Sequence, residues 1–229
     1  FMTLPKLLKC EFLRSLAKQK KRTIYFDISS FSQTKANTGI QRVVKKFIQY
    51  LPEELENYNF DIAYISGNDS SKYQIICSED GKWKILGDAY PVANDWYISV
   101  DLCANQILKH QKNLIDWKNR GVKLFIYVHD IIFNEHPEFV SDAKAANSLN
   151  KWLYFSLKYA DCIMSNSCTV VENVKKFALR NEINIKKTIF LYQHLGTDFN
   201  SDKKNTYNKQ NVHDREKHYQ FICVSTIEL

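Results

Sequence analysis

Residues that could carry chemistry concentrate in the stretch "YVHDIIFNEHPEF", residues 127–139. His129 ends an apolar run that is typical of a buried strand. There its ring can exchange a hydrogen bond with a substrate hydroxyl, and Asp130 can orient it. His129, Glu135 and His136 are also metal-ligand types, but their spacing fits neither H-E-x-x-H nor H-x-x-E-H. We therefore predict His129 and Asp130 as catalytic residues and no metal site; a purely structural histidine at the core edge is the alternative.

A second candidate site lies at the start of the helix predicted for "ANTGIQRVVKKFIQYL", residues 36–51. Thr38 and Gln41 are spaced as a capping box. Apolar residues follow at helical spacing, namely Ile40, Val43, Val44, Phe47 and Leu51. Gly39 therefore lies where the strand predicted at residues 23–29 passes into a helix, and free N–H groups there can hold an anion. A glycine that only tightens the turn is the alternative.

The rest of the chain alternates between strand-like and helical patterns. Strands are predicted at residues 60–66, 73–77, 83–86, 96–101, 122–130, 161–167 and 188–193, and helices at 105–120, 139–159 and 169–180. Thr169 and Glu172 have capping-box spacing, and Gly121 is placed as a C′ glycine. The alternation predicts an α/β fold, a Rossmann-like parallel sheet with helices on both faces.

Ligands of such sheets bind beyond the carboxyl ends of the strands. The residues predicted at that edge are 27–30, 101, 129–130, 166–167 and 194–198. Domain boundaries follow from composition: a basic amphipathic segment at 1–22, a Rossmann-like domain at 23–200, a polar linker at 201–218, and a further apolar strand at 219–229.

Composition narrows the class of protein. With 229 residues, of which 45% are hydrophobic, the chain can bury a core and is not disordered. A net charge of +7 favours acidic partners such as phosphorylated substrates or anionic lipid. A nucleic-acid-binding module is disfavoured, because the basic residues are dispersed and the aromatic residues lie in strands. The six cysteines form no C-x-x-C pair, which indicates buried thiols in a reducing compartment.

The segment 1–22 combines leucines on one helical face with seven basic residues. It is too interrupted by charge for a signal peptide, and no apolar run reaches the ~18 residues of a spanning helix. The segment either binds an anionic membrane surface or packs on the domain. We expect a cytoplasmic protein. If the segment 1–22 binds a membrane, we expect that contact to be peripheral, at the inner face of the plasma membrane.

Five segments together carry a family resemblance: "DISSF…TGIQRVVKKF", "YVHDIIFNEHPEF", "ADCIMSNSCTVVENVKKF", "HLGTDF" and "FICVSTIE", in this order from Asp27 to Glu228. They resemble signature segments of the retaining glycosyltransferases of family 4. The subgroup that they resemble is the bacterial mannosyltransferase-like enzymes of surface-polysaccharide (including lipopolysaccharide) synthesis, which carry a similar T-G-I-Q-R-V helix start.

The resemblance implies a GT-B fold, in which two Rossmann-like domains face each other across a cleft. The first domain binds the glycan or lipid-linked acceptor, and the second binds most of a GDP- or UDP-linked sugar donor. The donor is a substrate, so no cofactor is expected, and such enzymes need no metal. This sequence likewise has no D-x-D motif.

By the same resemblance, Thr38 and Gly39 approach the donor diphosphate, although this chain has "TG" where many relatives have "GG". His129 contacts the transferred sugar, Asp130 supports it, and Ser167 lines the cleft. Gly196 of the "HLGTDF" turn and Glu228, at the end of the segment that opens the second domain, are also predicted to bind the substrate or the donor phosphate.

In the family, a basic diphosphate-binding pair and a Glu-x7-Glu segment follow that opening strand, whereas here Leu229 follows Glu228. We therefore expect a truncated second domain: a fragment, the product of a disrupted gene, or half of a split enzyme, inactive alone. The rival hypothesis is a non-catalytic subunit that docks a separate donor-domain polypeptide or a membrane.

Overall fold

The computed structural model of the chain describes residues 22–33, 38–56, 58–67, 70–140 and 142–195. Its strands are β1 (Arg22–Asp27), β2 (Phe60–Ser66), β3 (Gln74–Glu79), β4 (Lys82–Asp88), β5 (Trp96–Ser99), β6 (Lys123–Val128), β7 (Cys162–Ser165) and β8 (Ile189–Tyr192). Its helices are α1 (Gly39–Leu55), α2 (Ala104–Lys109), α3 (Gln111–Asn119), α4 (Ile132–Glu135), α5 (Ala143–Tyr159) and α6 (Cys168–Arg180), with a 3₁₀ turn at Pro137–Phe139. The segment 1–21, the linker 201–218, the strand 219–229, Gly196 and Glu228 lie outside the described residues.

The strands form one mixed sheet in the order β4-β3-β2-β1-β5-β6-β7-β8. The six strands from β2 to β8 in this order are parallel, and β3 and β4 add an antiparallel hairpin at one edge. The predicted α/β, Rossmann-like fold is confirmed, and the expectation that every strand is parallel is wrong for this hairpin. The physical reason is the dipeptide Asp80-Gly81, whose residues both have positive φ, 50° and 72°. Such a dipeptide turns a chain directly back into an antiparallel strand.

Helices cover both faces of the sheet, as predicted. Side chains of a strand alternate between faces, so Ile24 and Phe26 of β1 pack with Val44 and Leu51 of α1. Tyr25, between them, belongs to the opposite cluster, which is built from α2, α3, α5 and α6.

Three local predictions about helices need correction. The helix predicted at 105–120 is divided at His110 into α2 and α3. The helix predicted from residue 139 begins at Ala143, because Asp142 caps it by accepting a hydrogen bond from the Lys144 N–H at 2.8 Å. The cap of α6 is Ser167, whose Oγ accepts from the Val170 N–H at 3.3 Å, so Thr169 and Glu172 do not form a capping box. Gly121, with φ at +92°, follows α3 as a C′ residue, as predicted.

Candidate functional site

The order of the strands reverses at β1, since β2 lies on one side of it and β5 on the other. In sheets of this kind the ligand crevice opens beyond the carboxyl ends of the strands at such a switch point. Three buried residues with ionisable side chains lie there: Asp27 at the end of β1, Asp101 after β5, and His129 after β6. The switch point thus joins side chains that are up to 102 positions apart in the sequence.

Asp27 is fully buried, and hydrogen bonds satisfy both of its carboxylate oxygens. Oδ1 accepts from the Ser29 N–H at 2.9 Å and from the Ser29 hydroxyl at 2.5 Å. Oδ2 accepts from the Tyr97 hydroxyl at 2.6 Å, and the Tyr73 hydroxyl lies 3.3 Å from that of Tyr97. Burial raises the pKa of Asp27, and it raises the pKa values of Tyr73 and Tyr97 as well.

The same carboxylate network fixes the loop that follows β1. Ser29 Oγ accepts from the Gly67 N–H at 2.8 Å, which ties the loop to the end of β2. The Phe31 N–H donates to Asp101 Oδ2 at 2.5 Å, which ties it to the end of β5. Asp27 and Asp101 therefore position the backbone around the crevice, and their oxygens are occupied by that task. Burial also raises the pKa of the Cys103 thiol, so this cysteine is not a thiolate nucleophile.

Unlike Asp27, His129 has a hydrogen-bonding atom with no partner among the described residues, because a contact is found for only one of its two ring nitrogens. Nε2 lies 2.8 Å from the Val100 carbonyl oxygen. A carbonyl only accepts, so Nε2 carries the hydrogen and Nδ1 carries the lone pair. Among the described residues no hydrogen bond to Nδ1 is found. Burial lowers the pKa of His129, so the ring is neutral at pH 7 and presents Nδ1 as an acceptor for a hydroxyl.

Asp130 is exposed, and its Oδ1 accepts from the Ile132 N–H at 3.2 Å. The hydrogen bond that His129 Nε2 donates to the Val100 carbonyl fixes the ring, which also packs on Tyr127, with centroids 4.6 Å apart. Asp130 adds a negative charge near the ring, which opposes the lowering of the His129 pKa by burial.

The start of α1 has the predicted capping box. The Thr38 N–H donates to Gln41 Oε1 at 3.2 Å, and the Gln41 N–H donates to Thr38 Oγ1 at 3.3 Å. The N–H groups of Gly39 and Ile40 have no hydrogen-bond partner within the described part of the chain. A Cβ built on Gly39 meets no atom of the described residues within 4 Å, so none of those residues requires a glycine there.

The remaining predicted site residues are placed as follows. Ser167 lies at the carboxyl edge, two residues after β7, where its hydroxyl caps α6. Gly196 and Glu228 are outside the described residues. Among the described residues, no group of three His, Cys, Asp or Glu side chains is arranged to hold a metal ion. None of the described helices is long and apolar enough to cross a membrane.

Tyr97 and Tyr73 are the site-building residues that the sequence did not single out. A carboxylate at the end of a buried strand requires donors, and a tyrosine in a neighbouring strand run is the obvious supplier. To identify Tyr97 as the donor to Asp27, one must also know the register of β5 against β1, in which Tyr97 pairs with Tyr25.

Comparison with known proteins adds the decisive observation. The chain is 26% identical over 201 residues to the serotype-specific mannosyltransferase WbdA of Escherichia coli, a match that covers 84% of this chain. The chain is related to a glycosyltransferase. A second WbdA sequence of that organism is 26% identical over 196 residues, or 82% of this chain. The chain spans about a quarter of the length of these relatives, 24%. No family model and no solved structure matches it.

Proposed function

We propose that this chain is the acceptor-side part of a retaining GT-B glycosyltransferase of family 4. Its reaction is the transfer of a sugar, with mannose as our choice, from a GDP- or UDP-linked donor to a growing surface polysaccharide or lipid-linked acceptor. The observation that carries the proposal is the similarity to a mannosyltransferase over 84% of the chain. The open Nδ1 of His129 at the switch point supports it, because a neutral imidazole acceptor suits a sugar hydroxyl.

The reaction forms a bond between an acceptor oxygen and the anomeric carbon while the bond from that carbon to the diphosphate breaks. The acceptor hydroxyl passes its proton to the departing diphosphate oxygen, and the nucleoside diphosphate leaves. We assign to His129 a hydrogen bond to the transferred sugar, and to the N–H groups of Gly39 and Ile40 at the start of α1 a contact with the diphosphate. The enzyme that we propose is cytoplasmic and contacts the plasma membrane peripherally, and a separate donor-domain polypeptide is a proposed partner.

Because the chain matches a quarter of the length of WbdA, we choose two protein samples for the transfer assay. One is the chain itself, and the other is a fusion in which the chain replaces the matching region of WbdA. Each is incubated with GDP-mannose or a UDP-hexose and a mannose-terminated oligosaccharide, and the product is detected by mass spectrometry.

We expect the fusion to extend the oligosaccharide by one hexose or more, with release of the nucleoside diphosphate. A folded fusion, verified by circular dichroism, that transfers nothing from any of these donors would contradict the proposed function. The assay on the chain alone separately tests the expectation of inactivity that the sequence raised.

A further inference from the structure

An exposed aromatic surface lies in the loop that follows His129. Phe139 is 70% exposed, and the His136 ring packs against it, with centroids 5.3 Å apart and planes inclined by 23°. Ile132, the first residue of α4 in the same segment, is 48% exposed. We call Ile132, His136 and Phe139 the aromatic platform. Nothing assigned so far to His129 or to the helix start uses these three side chains.

The platform is held in place from beneath. Ile131 and Phe133 are buried in the core, so the loop is anchored on both sides of Ile132. The side-chain amide of Asn134 donates to Asn150 Oδ1 of α5 at 2.8 Å, and Arg180 of α6 donates to Asn134 Oδ1 at 3.3 Å.

The two rings share one short turn. The Phe139 N–H donates to the His136 carbonyl at 3.0 Å. Pro137 between them has a fixed φ. An apolar ring presented on such an ordered loop is already in a binding conformation, which lowers the entropy cost of binding.

Charge distinguishes the ligands that fit this surface. The chain has a net charge of +7, yet residues 130–140 include Asp130, Glu135 and Glu138 and no Lys or Arg. Glu138 Oε1 lies 3.1 Å from His136 Nδ1, at the rim of the platform. An anionic lipid surface or a phosphate group needs basic residues, which this loop does not supply. A neutral ligand with many hydroxyl groups fits, because hydroxyls donate strong hydrogen bonds to carboxylates.

We propose that the platform binds a neutral sugar ring of the acceptor glycan. The apolar C–H face of a pyranose packs on the exposed Phe139 ring, and its hydroxyls donate to Glu135 and Glu138. The platform and His129 both belong to the segment between β6 and α5, and on the proposed function we assign the platform to acceptor binding. This inference rests on the proposed function and names the part of the chain that recognises the acceptor.

The test measures glycan binding without any nucleotide-sugar, so that it is independent of transfer. An α-linked mannose trisaccharide is titrated into the chain and followed by NMR. Three variants are compared with the wild type: Phe139→Ala, Phe139→Tyr, and the control Leu179→Ala on α6. Leu179 is 81% exposed and lies outside the platform, so the control also removes an exposed apolar side chain.

We expect saturable binding by the wild type, a loss of about tenfold or more in Phe139→Ala, and changes below about threefold in Phe139→Tyr and Leu179→Ala. Equal binding by Phe139→Ala and wild type, or no binding by the wild type, would overturn the inference. Sedimentation with vesicles of anionic phospholipid that Phe139→Ala abolishes would overturn it too, in favour of a membrane contact. If the fusion transfers sugar while Phe139→Ala binds the trisaccharide normally, only this inference fails and the proposed function stands.

Discussion

Two buried tyrosines in neighbouring strands allow a direct test of the Asp27 network. Tyr97 of β5 is buried, and its hydroxyl donates to Asp27 Oδ2 at 2.6 Å. Tyr127 of β6 is buried to the same degree, but its hydroxyl has no hydrogen-bond partner among the described residues. The substitutions Tyr97→Phe and Tyr127→Phe therefore remove the same atom from similar surroundings. They differ in whether that atom makes a hydrogen bond.

The structure sets the magnitude of the difference. Tyr97→Phe takes one donor from a buried carboxylate and also removes the neighbour of the Tyr73 hydroxyl, so we expect it to lower the free energy of unfolding by about 1–3 kcal/mol. Tyr127→Phe removes a buried hydroxyl that has no partner, so its free energy of unfolding should stay within about 0.5 kcal/mol of wild type or rise.

Urea unfolding followed by far-UV circular dichroism measures both variants. With a slope of about 1–3 kcal/mol/M, a loss of ~2 kcal/mol moves the midpoint by about 1 M. Equal midpoints for the two variants would contradict this prediction, because they would mean that the hydrogen bond from Tyr97 to Asp27 does not contribute to stability. A larger loss in Tyr127→Phe would show that the hydrogen bonds are assigned to the wrong strand.

Other predictions concern pH and the glycines. Burial raises the pKa of Asp27 above its unfolded value, so the folded state binds this proton more tightly. Its contribution to stability is therefore greatest below about pH 4 and declines as pH rises through the folded pKa. Asp27→Asn should reduce that decline in urea titrations repeated at increasing pH from about pH 4, and an unchanged pH dependence would contradict burial of Asp27 as its cause. Gly67→Ala should cost about 1–3 kcal/mol of stability, because the new Cβ lies 2.6 and 2.8 Å from ring atoms of His110, and a wild-type melting temperature would contradict this. A Cβ at position 39 meets no described atom, so we expect Gly39→Val to fold normally, but it should slow transfer by the fusion about tenfold if the N–H groups bind the diphosphate, and unchanged kinetics would remove that assignment.

Local patterns sufficed for most of the fold. The capping box at Thr38 and Gln41 is a contact between near neighbours, so the sequence predicts it without knowledge of the rest of the chain. The strand at residues 60–66 is confirmed residue for residue as β2. The hairpin of β3 and β4 had a local signal in Asp80-Gly81, which the alternation of strands and helices obscured.

The site was predictable only in part, because its contacts are long-range. Asp27 and Tyr97 are separated by 70 positions, and they meet only because β1 and β5 are neighbours in the sheet. The location of the site at the carboxyl edge was predictable, because ligands of parallel sheets bind beyond the carboxyl ends of the strands. Sequence patterns do not report backbone contacts such as that of the Val100 carbonyl with His129 Nε2. They therefore do not show that, among the described residues, Nδ1 of His129 has no hydrogen bond.

We propose that His129 Nδ1 accepts a hydrogen bond from the transferred sugar during the reaction. The most direct test is the steady-state kinetics of the fusion with its nucleotide-sugar, for the wild type and for His129→Ala. If the hydrogen bond from the sugar to Nδ1 strengthens in the transition state, kcat should fall by about 10²-fold with a smaller change in KM. The variant should retain the wild-type circular dichroism spectrum. An unchanged kcat in a folded His129→Ala fusion, or a loss of activity that follows unfolding alone, would contradict the account.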